Sequence, residues 1–383
     1  MRRLLTLLAA TAALAAAASP ASAAPPPHVE AHAYLVANAK SGEVLAGSNE
    51  NTAVPIASIT KLMTAIVTLE HARPGDVVKI SARSSTVGES TIFLEAGERI
   101  TVRDLLAAAL IQSANDAAFA LAAHVGNGSV AEFVGLMNAK AAELGLDETR
   151  FERPDGLDVP GHVSSANDVL VLAKEAMKEP LVRRLVRQRA ASIAGGRTLH
   201  TWNDLLGRYR GIYGVKTGHT DDAGWCEVAV VRRDGIVLYT VVLGSPARGR
   251  RNQDLVRLSD WGFDQYARRQ VVDPGRTYAT AAIPFSDDRL ELVPARGATS
   301  MLRLTRPLVE TVVAPAVVAL PVEQGQRLGE VRVMDNGVVV ARRPLVAAEA
   351  VGAPGVAAKS EWYAGHALSE AGDMMSDLFG SIL

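Results

Sequence analysis

The chain has 383 residues, of which 48% are hydrophobic, 21% charged and 5% aromatic. That mixture excludes disordered, collagenous and multi-span membrane classes and leaves room for two or three domains. With 40 basic against 41 acidic side chains, it offers no concentrated positive charge for a nucleic-acid backbone. The single cysteine, Cys226, excludes an internal disulfide framework and any multi-thiolate metal site, and the histidine spacings carry no metal signature.

Arg2 and Arg3 precede an apolar run over residues 4–18, then Ala21-Ser22-Ala23, a small-residue cleavage pattern, and Pro25-Pro26-Pro27. This predicts a secretory signal peptide over 1–24 and a mature protein working outside the cytoplasm, in the periplasm or at the outer face of the cytoplasmic membrane. A retained transmembrane anchor is the competing reading, but the run is short for a span and ends in helix breakers. No cysteine stands at the cleavage point, so lipidation there is not expected.

Residues 32–46 read as two strands around Ser41-Gly42. After Pro55, Ile59, Leu62, Met63 and Ile66 recur at helical spacing, and further helical patterns run from Val102 through Leu110 and on to Phe119 and Leu121. Asp234-Gly235 between β-branched runs predicts a hairpin over 228–243. The helices therefore lie between strands in sequence, and the domain is expected over 29–271. From 272 to 350 short alternating runs predict a separate β domain, with Asn336-Gly337 marking its clearest hairpin. A linker at 351–358 leads to an amphipathic helix at 359–383. Its apolar stripe is Leu368, Ala371, Met375, Leu378 and Ile382, with Glu370, Asp373 and Asp377 opposite and Trp362 and Tyr363 at its start. No Lys or Arg follows Lys359, so contact with a membrane would rest on apolar burial rather than charge; docking on a protein partner or a second copy is the alternative.

Three short motifs carry chemistry. In Ser58-Ile59-Thr60-Lys61 the three-residue offset puts a hydroxyl and an amine side by side on one helix face. A desolvated amine can lose its proton and then activate the serine. Alone the motif is weak, since about one S-x-x-K arises by chance in a chain this long. Ser113-Ala114-Asn115 alone reads as a helix cap or interhelical loop, and Lys216-Thr217-Gly218 alone as a turn whose glycine lets another backbone approach a strand edge. Their joint occurrence in this order is far less probable by accident.

With these motifs the chain resembles the low-molecular-mass penicillin-binding proteins that act as serine-type D-alanyl-D-alanine carboxypeptidases, the peptidase S11 family. The resemblance extends through residues 55–64, Gln112 to Ala118, Lys216 to Thr220, Pro154-Asp155-Gly156-Leu157-Asp158 and Trp261-Gly262-Phe263. It implies an α/β (α+β) penicillin-binding-protein/β-lactamase-like catalytic domain, an antiparallel sheet with a helical cluster, plus a small all-β C-terminal domain and a tail that is a peripheral membrane anchor. It implies removal of the terminal D-alanine from peptidoglycan pentapeptide stems without a cofactor, and acylation by β-lactams. By the same resemblance Ser58 is the nucleophile, Lys61 its base, Ser113 the proton relay to the leaving amine, and Asn115 orients the substrate amide and Lys61. The amides of Ser58 and His219 form the oxyanion hole, with the His219 ring on the rim. Lys216 supplies positive field beside Gly218, and Thr217 with Arg251 holds the terminal carboxylate, for which a guanidinium fork is suited bidentately. A solvated arginine is the alternative for Arg251.

Where some relatives carry an arginine two residues after the position of His200, this chain has Trp202, which puts a second carboxylate contact in doubt. Cys226 is expected to be a buried apolar thiol. A class A β-lactamase is disfavoured because residues 154–160 lack its Glu-x-x-Leu-Asn signal. A D,D-endopeptidase is disfavoured by the appended β domain, and an inactive penicillin-binding scaffold by the intact motifs.

Overall fold

The computed structural model describes residues 24–364 and the backbone of a strand at Ala9–Leu14. Apart from that strand and Ala24, the expected leader lies outside the described residues, as does the tail helix beyond 364. The chain divides into two units, one spanning Ala24–Asp264, the other running from Gln265 onward and including the N-terminal strand.

In the first unit, β1 (Ala33–Asn38), β2 (Val44–Ser48), β3 (Ile212–Thr220), β4 (Gly224–Arg233) and β5 (Ile236–Ser245) form an antiparallel sheet in the order β2-β1-β5-β4-β3. Chain ends and middle thus interleave, and β3 is left on an edge. The three inner strands β1, β5 and β4 are buried on both faces and so are mostly apolar at odd and even positions alike. Leu35, Ala37, Val228, Val230, Val241 and Leu243 join a core with the helices α1 (Lys61–His71), α2 (Val102–Ala107), α3 (Asn115–Val125), α4 (Val130–Glu143) and α5 (Ala166–Ala176). Val36 and Leu238 turn the other way, against α6 (Arg248–Asp264); a Cβ on Gly262 would lie 2.8 Å from Leu238 and 3.0 Å from Val36, so the glycine sets how closely α6 seats.

Local signals start and stop the helices. Thr101 and Ser165 accept the Asp104 and Asp168 amides at 3.1 Å, capping α2 and α5. α2 continues through a π turn, Ala108–Gln112, and halts at Ser113, whose φ of 65° is left-handed. α3 starts two residues later.

In the second unit, β6 (Tyr266–Val272) pairs with β9 (Ala298–Arg303). β7 (Ala279–Ala282), β8 (Arg289–Pro294), β10 (Leu308–Pro315), β11 (Arg327–Asp335) and β12 (Val338–Ala347) form the larger sheet, extended past β10 by the strand at Ala9–Leu14. The pairing of β6 with β9 puts the unit boundary at 264/265 rather than 271/272: Tyr266–Val272 reads in sequence as the end of the helical domain, but its hydrogen-bonding partner lies downstream. The expected linker is also shorter. Val351 bridges Val322, and a helix runs over 356–364. The aromatic rings at its end lie against Phe285, the Trp362 and Tyr363 centroids being 5.8 and 5.7 Å from it, while Tyr363 stays exposed on its other side.

Candidate active site

Ser58 sits in a tight 3-10 turn, Ala57–Thr60, that leads into α1. Ala57 before it is left-handed, φ 49°, a conformation that a residue with a Cβ holds only when its surroundings fix it. Two neighbours supply that fixing. Thr60 Oγ1 lies 2.7 Å from His162 Nε2, while His162 Nδ1 accepts the Glu152 amide at 3.0 Å. The ring is therefore neutral with its proton on Nε2, and burial lowers its pKa to about 4. Gly156, at φ 84°, lies under the same turn, where a Cβ would meet the Ala57 carbonyl at 2.0 Å.

Lys61 opens α1 and is fully buried. Its Nζ donates to Ser58 Oγ, Asn115 Oδ1 and the Asp155 carbonyl, each at 2.7 Å. Burial lowers its pKa to about 8, partly opposed by the carboxylates of Asp155 and Glu89. An ordinary lysine would hold its proton far more firmly.

The left-handed turn at Ser113 separates its hydroxyl from the helix it follows, and Lys216 Nζ donates to Ser113 Oγ at 2.8 Å. Burial and the Lys61 charge together hold the Lys216 amine well below the usual lysine range. Asn115 is tied on its far side, its Nδ2 donating to the Gly88 carbonyl at 3.0 Å and its amide to Ser90 at 2.7 Å. The three motifs thus meet through two lysine amines, one on each serine.

The edge strand β3 closes the site. A Cβ on Gly218 would lie 2.8 Å from the Ile56 carbonyl and 3.0 Å from the Ser58 amide nitrogen. Only a glycine lets the strand come this near the nucleophile's amide. The cleft encloses about 210 Å³ between Ser58, Ser113, Asn115, Thr217, Gly218 and Trp225, among others. His219 is exposed at its rim, stacked on Trp225 at 3.9 Å.

Arg251 lines the cleft yet is only 1% exposed, which overturns the solvated alternative. Its Nε pairs with buried Glu227 at 3.1 Å, and its Nη2 with Asp204 at 3.3 Å and Asn252 at 2.6 Å. Nη1 is left without a protein partner among the described residues. The Nε and Nη2 edge of the guanidinium, which would form the bidentate fork read from the sequence, is thus engaged by Asn252, Asp204 and Glu227, and the correction leaves Nη1 with its two N–H groups for the carboxylate. Glu227 stands opposite Thr217 in the β3–β4 ladder, and burial pushes its pKa up to about 7, with Arg251 opposing. Trp202 also lines the cleft, its indole donating to the Gln112 carbonyl at 2.9 Å. Cys226 is wholly buried, and burial raises its thiol to about 11; no reactive thiolate forms there.

Sequence reasoning missed the Asp155 carbonyl as a Lys61 partner, His162 as the brace of the nucleophile turn, and Glu227 and Asp204 as the Arg251 clamp. Pro154-Asp155-Gly156 carried a signal for the first, since its glycine marks a sharp turn. Glu227 was masked by the apolar run around it.

A family model described as D-alanyl-D-alanine carboxypeptidase matches residues 19–247. The chain is 31% identical to D-alanyl-D-alanine carboxypeptidase DacF of Bacillus subtilis (strain 168) over 333 residues, 84% of this chain and 85% of that protein. Penicillin-binding protein D2 of Listeria monocytogenes, solved in its ampicillin-bound form, is 32% identical at a TM-score of 0.57, covering 62% of this chain and all of that one. D-alanyl-D-alanine carboxypeptidase DacD of Francisella tularensis has the same fold at 21% identity and a TM-score of 0.62, covering 88% of this chain and 98% of that one.

Proposed function

The chain belongs to the D-alanyl-D-alanine carboxypeptidase family, and we propose that its reaction runs through an acyl-enzyme on Ser58. The enzyme is a serine hydrolase that removes the terminal D-alanine from peptidoglycan pentapeptide stems and is acylated by β-lactams. The observation that carries the residue assignment is the Lys61 amine, stripped of water and 2.7 Å from Ser58 Oγ.

In its neutral form Lys61 takes the Ser58 proton as Oγ attacks the penultimate D-alanine carbonyl. The oxyanion forms beside the amides of Ser58 and His219, on the strand that Gly218 allows to close. As the C–N bond breaks, the departing D-alanine nitrogen takes a proton from Ser113 Oγ, which recovers the proton that Lys61 took from Ser58, leaving Lys61 neutral again. Water, deprotonated by Lys61, then attacks the ester and frees Ser58. Thr217 and Arg251 Nη1 hold the terminal carboxylate, and Lys216 adds positive field. Asn115 orients both Lys61 and the acyl-side amide. Ser58→Ala tests the assignment: it should release no D-alanine and take up no labelled penicillin, and labelling at the wild-type level would overturn it.

We also propose that residues 1–24 direct export, so that the enzyme acts in the periplasm or at the outer face of the cytoplasmic membrane. Residues 359–383 then give weak peripheral membrane contact. Among the described residues no helix is long and apolar enough to cross a membrane. Deleting 359–383 should leave peptidase activity intact and shift the protein from vesicles to the supernatant; a full-length protein that never sediments with vesicles would refute the contact.

A further inference from the structure

The cleft lining holds one arginine and one acidic residue, Arg251 on the Thr217 side and Glu89 next to Asn115 and Ser90. The substrate's carboxylate accounts for Arg251. Nothing in the reaction uses Glu89.

Other acids around the site are engaged. Asp155 pairs with Arg153 at 2.8 Å, Asp116 accepts three backbone amides, Asp158 accepts from Thr220 at 2.6 Å, and Glu227 faces Arg251. Glu89 is exposed and has no ion pair or side-chain hydrogen bond among the described residues. Its backbone is nonetheless held from both sides. The Gly88 carbonyl accepts from Asn115 Nδ2, the Ser90 carbonyl accepts from the Asn115 amide, and Ser90 Oγ donates to the Gln112 carbonyl. Glu89 between them sits at φ 65°, so the loop cannot swing away from the second motif without breaking these bonds. Its charge is close enough to favour the protonated forms of Lys61 and Arg153.

We propose that Glu89 is a specificity-determining residue that selects peptides bearing a free amino group on a side chain upstream of the scissile bond. The inference rests on the peptidase reading: with the terminal carboxylate at Arg251 and Thr217, the acyl half of the peptide passes Asn115, and its side chains meet the carboxylate held there. A cationic side chain finds a partner whose charge is not already neutralised. An acylated, neutral side chain does not.

Two peptides test this, both ending in L-Lys-D-Ala-D-Ala with the α-amine acetylated, one with the ε-amine free and the other with it acetylated. The readout is kcat/KM for D-alanine release. The wild-type enzyme should prefer the free amine about fivefold to tenfold at low ionic strength, and the preference should shrink at about 0.5 M salt. Glu89→Gln should bring the ratio near unity, Glu89→Lys should invert it, and Glu89→Asp should restore most of it. A wild-type enzyme that does not discriminate, or a preference that survives Glu89→Gln, overturns the proposal while leaving the peptidase reading intact. Turnover of neither peptide by the wild-type enzyme overturns both.

Discussion

Proton concentration is the simplest perturbation of the nucleophile and base, because Lys61 must be neutral to act. Its pKa near 8 is set by burial of an amine whose three hydrogen bonds go to Ser58 Oγ, Asn115 Oδ1 and the Asp155 carbonyl, all uncharged acceptors. The neutral fraction is then about 1% at pH 6, about 9% at pH 7 and about 90% at pH 9. The second-order rate of acylation by a fluorescent penicillin should accordingly rise by about tenfold per unit below pH 8 and level off above it, on the order of a hundredfold from pH 6 to 9. Glu227, near 7 through burial, also titrates in this range and ionises to hold Arg251. Repeating the profile in Glu227→Gln removes that contribution and leaves the limb that belongs to Lys61. The stability consequence has a definite sign. Between about 8 and the ordinary value of 10.5 the unfolded chain holds a proton on Lys61 that the folded chain lacks, so folding becomes more favourable as pH rises through that window. The stability of the wild-type protein relative to Lys61→Met should therefore improve from pH 8 to 10.5. An acylation rate that is flat or falling from pH 6 to 9 would refute the assignment of Lys61 as the base.

Gly218→Ala sets a Cβ against the Ile56 carbonyl at 2.8 Å and should push β3 off the nucleophile's amide; catalytic efficiency should fall by about a hundredfold or more, measured by D-alanine release, with circular dichroism unchanged. Arg251→Ala leaves Glu227 buried without its cation, so thermal or urea unfolding should show a loss of about 3–5 kcal/mol, and kcat/KM should fall about tenfold to a hundredfold; wild-type stability would contradict the buried clamp. His162→Phe removes the brace of Thr60 and should cost about 1–3 kcal/mol in denaturant unfolding, with reduced acylation because the Ser58 turn is no longer held. Because burial holds His162 near 4 against 6.5 in the unfolded chain, stability should fall as pH drops from about 6.5 to about 4 and lose nothing more to this group below that, a limb absent from the Phe variant.

The motifs were legible because each is a short run whose members act within one or two turns of chain. Ser58 and Lys61 meet through a three-residue offset, and Thr217 and Gly218 owe their places to the alternation of a single strand. The hairpins were legible for the same reason, Asp234-Gly235 and Asn336-Gly337 being turn chemistry in two residues. What sequence reading lost depends on distant segments. The Arg251 clamp joins α6, the strand β4 and the loop at Asp204, and nothing in the run Cys226-Glu227-Val228 says that an acid will be buried opposite an arginine. β6 looked like an appendage of the helical domain because its pairing partner, Ala298–Arg303, comes 26 residues after it. Ser113 read as a cap, whereas its left-handed backbone, reached through a π turn, turns its hydroxyl towards Lys216.

Intact-mass measurement of the enzyme after reaction with penicillin, followed by peptide mapping, tests the central claim most directly when paired with D-alanine release from a pentapeptide stem. A single adduct on Ser58, absent from Ser58→Ala together with all D-alanine release, is the expected result. An adduct on any other residue, or D-alanine release by Ser58→Ala at the wild-type rate, would contradict it.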